Sequence, residues 1–226
     1  MKMRLLILAA AGFVISLTSL PLRANAIVNG SFETPLTIPG GFTNFPSGST
    51  GITGWTVVGP EASIVSKTYA AGCCHFPAED GNQWLDLTGF LSNVSEGVQQ
   101  TVATTPSTQY TLSYWVGNVK DPFGGFGITS SVKVMVDGVL IDTVTNSANT
   151  TTLGWQNFTD VFTASGTTTT IAFLNNDPLS DNSNGLDNVS LDATGTTAVP
   201  EPGTLQLFGV SLAGLGFLLY RRKSVQ

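Results

Sequence analysis

The residues best suited to chemistry in this chain are aromatic and acidic, and two tryptophans stand out by their phase. Trp84 and Trp115 each fall on the polar phase of an alternating stretch, beside Asp86 and Ser113 respectively. A flat ring standing off a sheet among polar neighbours suits sugar recognition. The ring face covers the apolar C–H patch of a pyranose while carboxylates and amides bond its hydroxyls. Trp84, Asp86 and Trp115 are therefore the candidate glycan-binding residues. The competing reading is that a loop covers this second face and makes both indoles packing residues. Trp55 and Trp155 are expected in the core.

Cys73-Cys74-His75 is the sole soft-ligand cluster. Metal binding there lacks a fourth ligand, and adjacent cysteines chelate one tetrahedral ion poorly. A vicinal disulfide between Cys73 and Cys74 is strained, because a trans peptide holds the two Cα atoms about 3.8 Å apart, below the usual disulfide range. In an oxidising compartment, that ring or an intermolecular bridge still stands ahead of two idle thiols. Catalysis finds little support. With one histidine, a Ser–His–Asp arrangement would rest on His75 alone. Acid pairs abound, but sequence gives no separation for glycoside hydrolysis. Gly124-Gly125-Phe126-Gly127 lacks the lysine and helix of a phosphate cradle. An EF-hand at Asp177, Asp181 and Asn184-Gly185 fails, since its first and twelfth positions fall on Ser180 and Leu191. A non-catalytic protein is expected.

The elements that must carry these residues read as strands. Short β-branched runs recur between turn signals near 55–59, 62–67, 83–88, 98–103, 109–117, 131–137, 139–145, 155–164, 168–174 and 187–193. Tyr110, Leu112, Tyr114 and Val116 share one face of their strand, and Val132, Val134 and Val136 one face of another. Asp137-Gly138 marks a two-residue hairpin turn. No sustained 3.6-residue period interrupts the pattern, so an all-β antiparallel sandwich is expected over residues 27–198.

The two ends differ from this middle. Lys2 and Arg4, an apolar run from Leu5 to Leu20 and Ala24-Asn25-Ala26 make a secretory signal peptide over residues 1–26. At the other end Val199-Pro200-Glu201-Pro202 precedes an uncharged stretch, 204–220, and then Arg221-Arg222-Lys223. That stretch is just long enough to cross a hydrocarbon core of about 30 Å, and the basic cluster would stay cytoplasmic. The ends hold six of the nine basic residues, so the middle is arginine-free, with three lysines against fourteen acids. A domain so acidic is a poor partner for nucleic acid. It would favour neutral glycans or calcium-mediated contact over a polyanionic matrix.

Residues 199–223 resemble the PEP-CTERM sorting signal of Gram-negative bacteria, with all three parts in order. The resemblance implies Sec export, passage through the inner membrane on a C-terminal helix, and recognition by an exosortase. It also implies delivery to the cell surface or extracellular matrix of biofilm-forming cells. A second resemblance covers most of the middle. It rests on Ile27-Val28-Asn29-Gly30-Ser31-Phe32-Glu33, Gly54-Trp55-Thr56-Val57, Asp80-Gly81-Asn82-Gln83-Trp84-Leu85-Asp86-Leu87-Thr88-Gly89, Gln99-Gln100-Thr101, Tyr110 to Tyr114, and Leu186-Asp187-Asn188-Val189. These look like the bacterial choice-of-anchor domain, related to carbohydrate-binding modules with the galactose-binding-like jelly roll. Trp84 departs from the pattern, which usually carries a small polar residue there. The resemblance implies a jelly roll and glycan binding. It also implies a structural Ca²⁺ near Glu33 and Asp187, against the alternative that these carboxylates bond turns or buried backbone. The expected function is thus an exported protein contacting extracellular polysaccharide. The alternatives are a purely structural matrix protein and, more remotely, a glycoside-active enzyme.

Overall fold

The computed structural model describes residues 25–89, 97–179 and 183–194. All but the last two residues of the expected signal peptide lie outside them, as do the 204–220 stretch and Val199, Pro200, Glu201, Pro202, Arg221 and Arg222. Among the described residues no helix is long and apolar enough to cross a membrane.

The chain builds strands in the order β1 (Phe42–Pro46), β2 (Thr56–Val58), β3 (Glu61–Ser66), β4 (Ala70–Ala71), β5 (Cys74–His75), β6 (Gln83–Asp86) and β7 (Gly97–Ala103). There follow β8 (Gln109–Asn118), β9 (Ser130–Val136), β10 (Val139–Asn146), β11 (Gly154–Thr163), β12 (Thr168–Asn175) and β13 (Gly185–Ala193). A six-stranded sheet runs β1-β3-β6-β13-β8-β11 and a five-stranded sheet runs β10-β9-β12-β7-β2, while β4 and β5 form a small separate hairpin. Neighbouring strands are antiparallel throughout both sheets. This is the antiparallel β-sandwich expected from the alternation, with the jelly roll that the resemblance implied. The β9–β10 hairpin turns at Asp137 (φ 50°) and Gly138 (φ 79°), both left-handed as a two-residue hairpin of this kind requires.

The two sheets enclose the main core. Tyr110, Leu112, Tyr114 and Val116 point into it together, against Val132, Val134, Ile171 and Phe173 of the facing sheet. Each such aliphatic or aromatic side chain contributes roughly 1.5–3 kcal/mol by leaving water. Trp55 belongs here as expected, tilted against Phe32 and Phe173. Strand β13 carries Leu186 and Leu191 into the same core although they are five residues apart. A bulge between Asp187 and Ser190, with Asn188 at φ 46°, absorbs the odd step.

Candidate functional site

The outer face of the six-stranded sheet carries the side chains that alternate away from this core. The register places Ser63 and Val65 of β3 beside Trp84 and Asp86 of β6, and then Gly185 and Asp187 of β13 beside Trp115 and Gly117 of β8. Trp155 of β11 lies opposite Gly117. Its ring crosses two glycines: a Cβ on Gly117 or Gly185 would come within 2.8 or 2.9 Å of it. This close approach seats Trp155 on the outer face, and it meets Trp84 edge-on with ring centroids 5.9 Å apart. Trp155, expected in the core, therefore packs outside the space between the sheets, because glycine on β8 and β13 frees room for it on the other face.

Two loops cover this face. The first, residues 67–82, contains the β4–β5 hairpin and is held by both indoles: Trp84 Nε1 donates to the Phe76 carbonyl at 3.1 Å and Trp155 Nε1 to the Pro77 carbonyl at 3.0 Å. The second loop, residues 119–129, is organised by Asp121. Its Oδ1 accepts the Phe123 N–H at 2.7 Å, and its Oδ2 accepts those of Gly125 and Phe126 at 2.6 and 3.1 Å. These donors, Phe123 first, hold the Asp121 carboxyl below the usual range. The loop thereby sets Phe126 edge-on against Phe76, centroids 5.0 Å apart. The result is a second hydrophobic cluster of Val65, Cys74, Phe76, Trp84, Val119 and Leu153, with Tyr69, Phe126 and Trp155 packed on it.

Within this cluster lies a cavity of about 240 Å³. Phe42, Val65, Tyr69, Phe76, Trp84 and Phe126 give it apolar and aromatic walls, and Ser63, Asp86 and Ser183 supply the polar groups. It is smaller than a drug-sized site of about 300–1,000 Å³. Among the described residues the buried Ser183 hydroxyl has no hydrogen-bond partner. Asp86 is 9% exposed and accepts the Thr88 N–H at 3.0 Å, the Thr88 hydroxyl at 2.8 Å and the Asn184 N–H at 3.3 Å. All three donors converge on Oδ1, leaving Oδ2 to carry a proton. Burial outweighs these donors and, with nearby Glu61, raises the Asp86 carboxyl to about 7. The Tyr69 hydroxyl is also raised, by burial and then by Asp86. A carboxylic acid that holds its proton near neutrality inside an aromatic chamber is equipped for general acid–base work.

The expected residues fall in different places. Trp84 and Asp86 do share one site, but Trp84 is only 1% exposed and forms a cavity wall, so the open aromatic platform is not formed. Trp115 is half-buried and does not line the cavity. Glu33 and Asp187 both hold the turn before β6: Glu33 accepts the N–H of Asn82 and Gln83, and Asp187 those of Glu79 and Asp80. Burial raises Asp187 to about 8. Those bonds match the reading of carboxylates that bond turns. Cys73 and Cys74 are free thiols, which corrects the vicinal disulfide; Cys73 donates instead to Asp121 at 3.4 Å. Sequence reasoning missed Tyr69, Phe76 and Phe126. Their one signal was aromatic residues spaced through glycine-bearing loops.

A family model described as HpiC1 cyclase matches residues 23–192, well over half of the chain. The chain belongs to the HpiC1-like family. This overturns the expectation of a non-catalytic domain, since the family is one of cyclases and a cyclase is an enzyme. A PEP-CTERM protein-sorting motif matches residues 198–223, which marks an exported protein processed by an exosortase. No curated protein matches the chain. Among solved structures, a Stig cyclase from Fischerella sp. TAU, in complex with (3Z)-3-(1-methyl-2-pyrrolidinylidene)-3H-indole, is similar at 20% identity, covering 75% of this chain and 96% of that one with a TM-score of 0.55. A cyclase from the same organism in complex with 4-(1H-indol-3-yl)butan-2-one is similar at 20% identity, covering 73% and 94%, with a TM-score of 0.53. At such identity the likeness shows a shared fold.

Proposed function

We propose that this protein is an exported acid–base cyclase whose substrate is a small, largely apolar, unsaturated molecule held between the six-stranded sheet and its two covering loops. One observation carries the reading: Asp86, its carboxyl raised to about 7, lines a cavity whose other walls are chiefly aromatic. Protonated Asp86 donates its proton to a substrate carbon–carbon double bond, leaving a carbocation and an Asp86 carboxylate. The faces of Trp84, Phe76 and Phe126 stabilise the cation. A second double bond of the substrate supplies the electron pair that closes the ring. Loss of a proton from the cyclised cation to Asp86 restores the acid, so the product is an isomer of the substrate. Family membership and the aromatic walls that the sheet and its covering loops give the cavity support this sequence.

The same pocket favours one further reading, because Trp84 and Asp86 provide a ring and a carboxylate as a sugar subsite does. In it the exported protein contacts extracellular polysaccharide at the cell surface or in the matrix. Calorimetric titration separates the two. The cyclase reading expects 4-(1H-indol-3-yl)butan-2-one, an aromatic probe of suitable size, to bind the wild type, with Asp86→Asn retaining binding. It also expects an isomer of unchanged mass when unsaturated indoles are incubated with wild type and not with Asp86→Asn. Binding of neutral oligosaccharides with no binding of the indole would replace it by the glycan reading.

A further inference from the structure

Outside the cavity, Cys73 and Cys74 in the 67–82 loop meet Asp121 at the root of the 119–129 loop. One Sγ from each cysteine and a carboxylate oxygen of Asp121 all lie within 4.8 Å of one another. We propose that these three residues bind a zinc-class divalent ion and that the ion joins the two loops covering the cavity. A tetrahedral ion with Zn–S bonds of about 2.3 Å places its ligand atoms roughly 3.8 Å apart, so a small inward movement completes the arrangement. The adjacency that argued against chelation is offset because the third ligand comes from another loop and closes the triangle from outside the hairpin.

The chemistry of the three groups fits such an ion. Asp121 is ionised and fixed in place by the three N–H donors of its own loop. The Cys73 thiol points its proton at Oδ1, the position an ion would take when that proton leaves. Cys74 is buried, with its Sγ within 4.8 Å of both other ligand atoms. Binding therefore exchanges two thiol protons for one divalent ion: two S–H bonds break, two S–metal bonds form, and two protons pass to solvent. Two thiolates and a carboxylate leave a fourth position for water. Thiolate donors select a zinc-class ion over calcium.

The test uses the purified full-length protein, kept reduced with a phosphine. Cobalt(II) is expected to bind at a single equivalent with a sulfur-to-cobalt charge-transfer band, which zinc then bleaches. Calorimetry in buffers of different ionisation enthalpy is expected to show about two protons released per zinc. Cys73→Ser, chosen because its side chain is half-buried at the edge of the second cluster while Cys74 is buried within it, is expected to remove the band. It should weaken zinc binding by at least about tenfold while the circular dichroism stays that of the wild type. Hydrogen exchange of residues 121–127 is expected to slow on zinc addition. Absence of the band in wild type, or its survival in Cys73→Ser, overturns the site. Unchanged exchange in 121–127 with zinc bound overturns the joining of the loops.

Discussion

The indole N–H of Trp84 donates to the carbonyl of Phe76 at 3.1 Å, and the two rings stack at 20° with centroids 6.2 Å apart. One tryptophan of the sheet thus fixes both the path of the covering loop and the aromatic wall that the loop contributes. The cavity depends on that double contact, since Phe76 has no regular ladder of its own beyond the short β4–β5 hairpin.

Replacing Trp84 by Phe keeps an apolar ring and removes the N–H. The Phe76 carbonyl then loses its donor, and an unsatisfied buried acceptor costs about 1–3 kcal/mol. Urea unfolding is expected to shift by that amount, with loss of indole-probe binding. A shift below a few tenths of a kcal/mol would show that the loop is held by other contacts.

Stability should depend on pH through Asp86. Its carboxyl is raised in the fold to about 7, so the folded state binds the proton more tightly than the unfolded chain. The stabilising contribution is full below about pH 4 and lost as pH rises through about 7, amounting to at most about 4 kcal/mol. Asp187, raised to about 8, acts in the same direction. Asp86→Asn is expected to flatten the decline in unfolding free energy between pH 4 and 7 without abolishing it. An unchanged slope would place the titration elsewhere.

Most of the ten strands legible in the amino-acid order bury one face, and burial imposes a period of two, as on Tyr110 to Val116 and on Val132 and Val134. The edge strand Phe42–Pro46 and the hairpin of β4 and β5 were not, since the first sends only Phe45 into the main core and the second sends nothing. Trp84 was legible as an anomaly and Asp86 as its partner. What covers them was hidden: residues 67–82 hold their course through two indole N–H groups of β6 and β11, through backbone bonds of His75 to Thr151 and Leu153, and through the Glu33 and Asp187 carboxylates, contacts that leave no periodic trace.

Gly117→Ala probes the seat of Trp155. The added Cβ would stand 2.8 Å from the indole, whose N–H is already committed to Pro77, so the ring and the covering loop must shift together. Destabilisation of about 1–3 kcal/mol is expected in chemical denaturation, together with weaker probe binding. Wild-type binding in this variant would mean that Trp155 can tilt independently of the loop.

Trp115→Ala offers the opposite expectation. Trp115 is half-buried and absent from the cavity wall, so indole-probe affinity and pH profile should match the wild type. Stability is expected to change by less than the cost of about 3–5 kcal/mol typical of truncating a core tryptophan. Loss of oligosaccharide retention in this variant alone would revive an outer-face glycan contact.

The bulge of β13 has a consequence for how such a chain can diverge. Because Asn188 is the extra residue that keeps both Leu186 and Leu191 inward, deleting or inserting one residue between Asp187 and Ser190 would turn half the strand inside out. Length variation is barred there and less constrained in the two covering loops, whose backbone meets the rest of the chain at His75 and Lys120 rather than along a full strand ladder. The roof of the chamber can therefore be rewritten without disturbing the strand that carries Trp84 and Asp86.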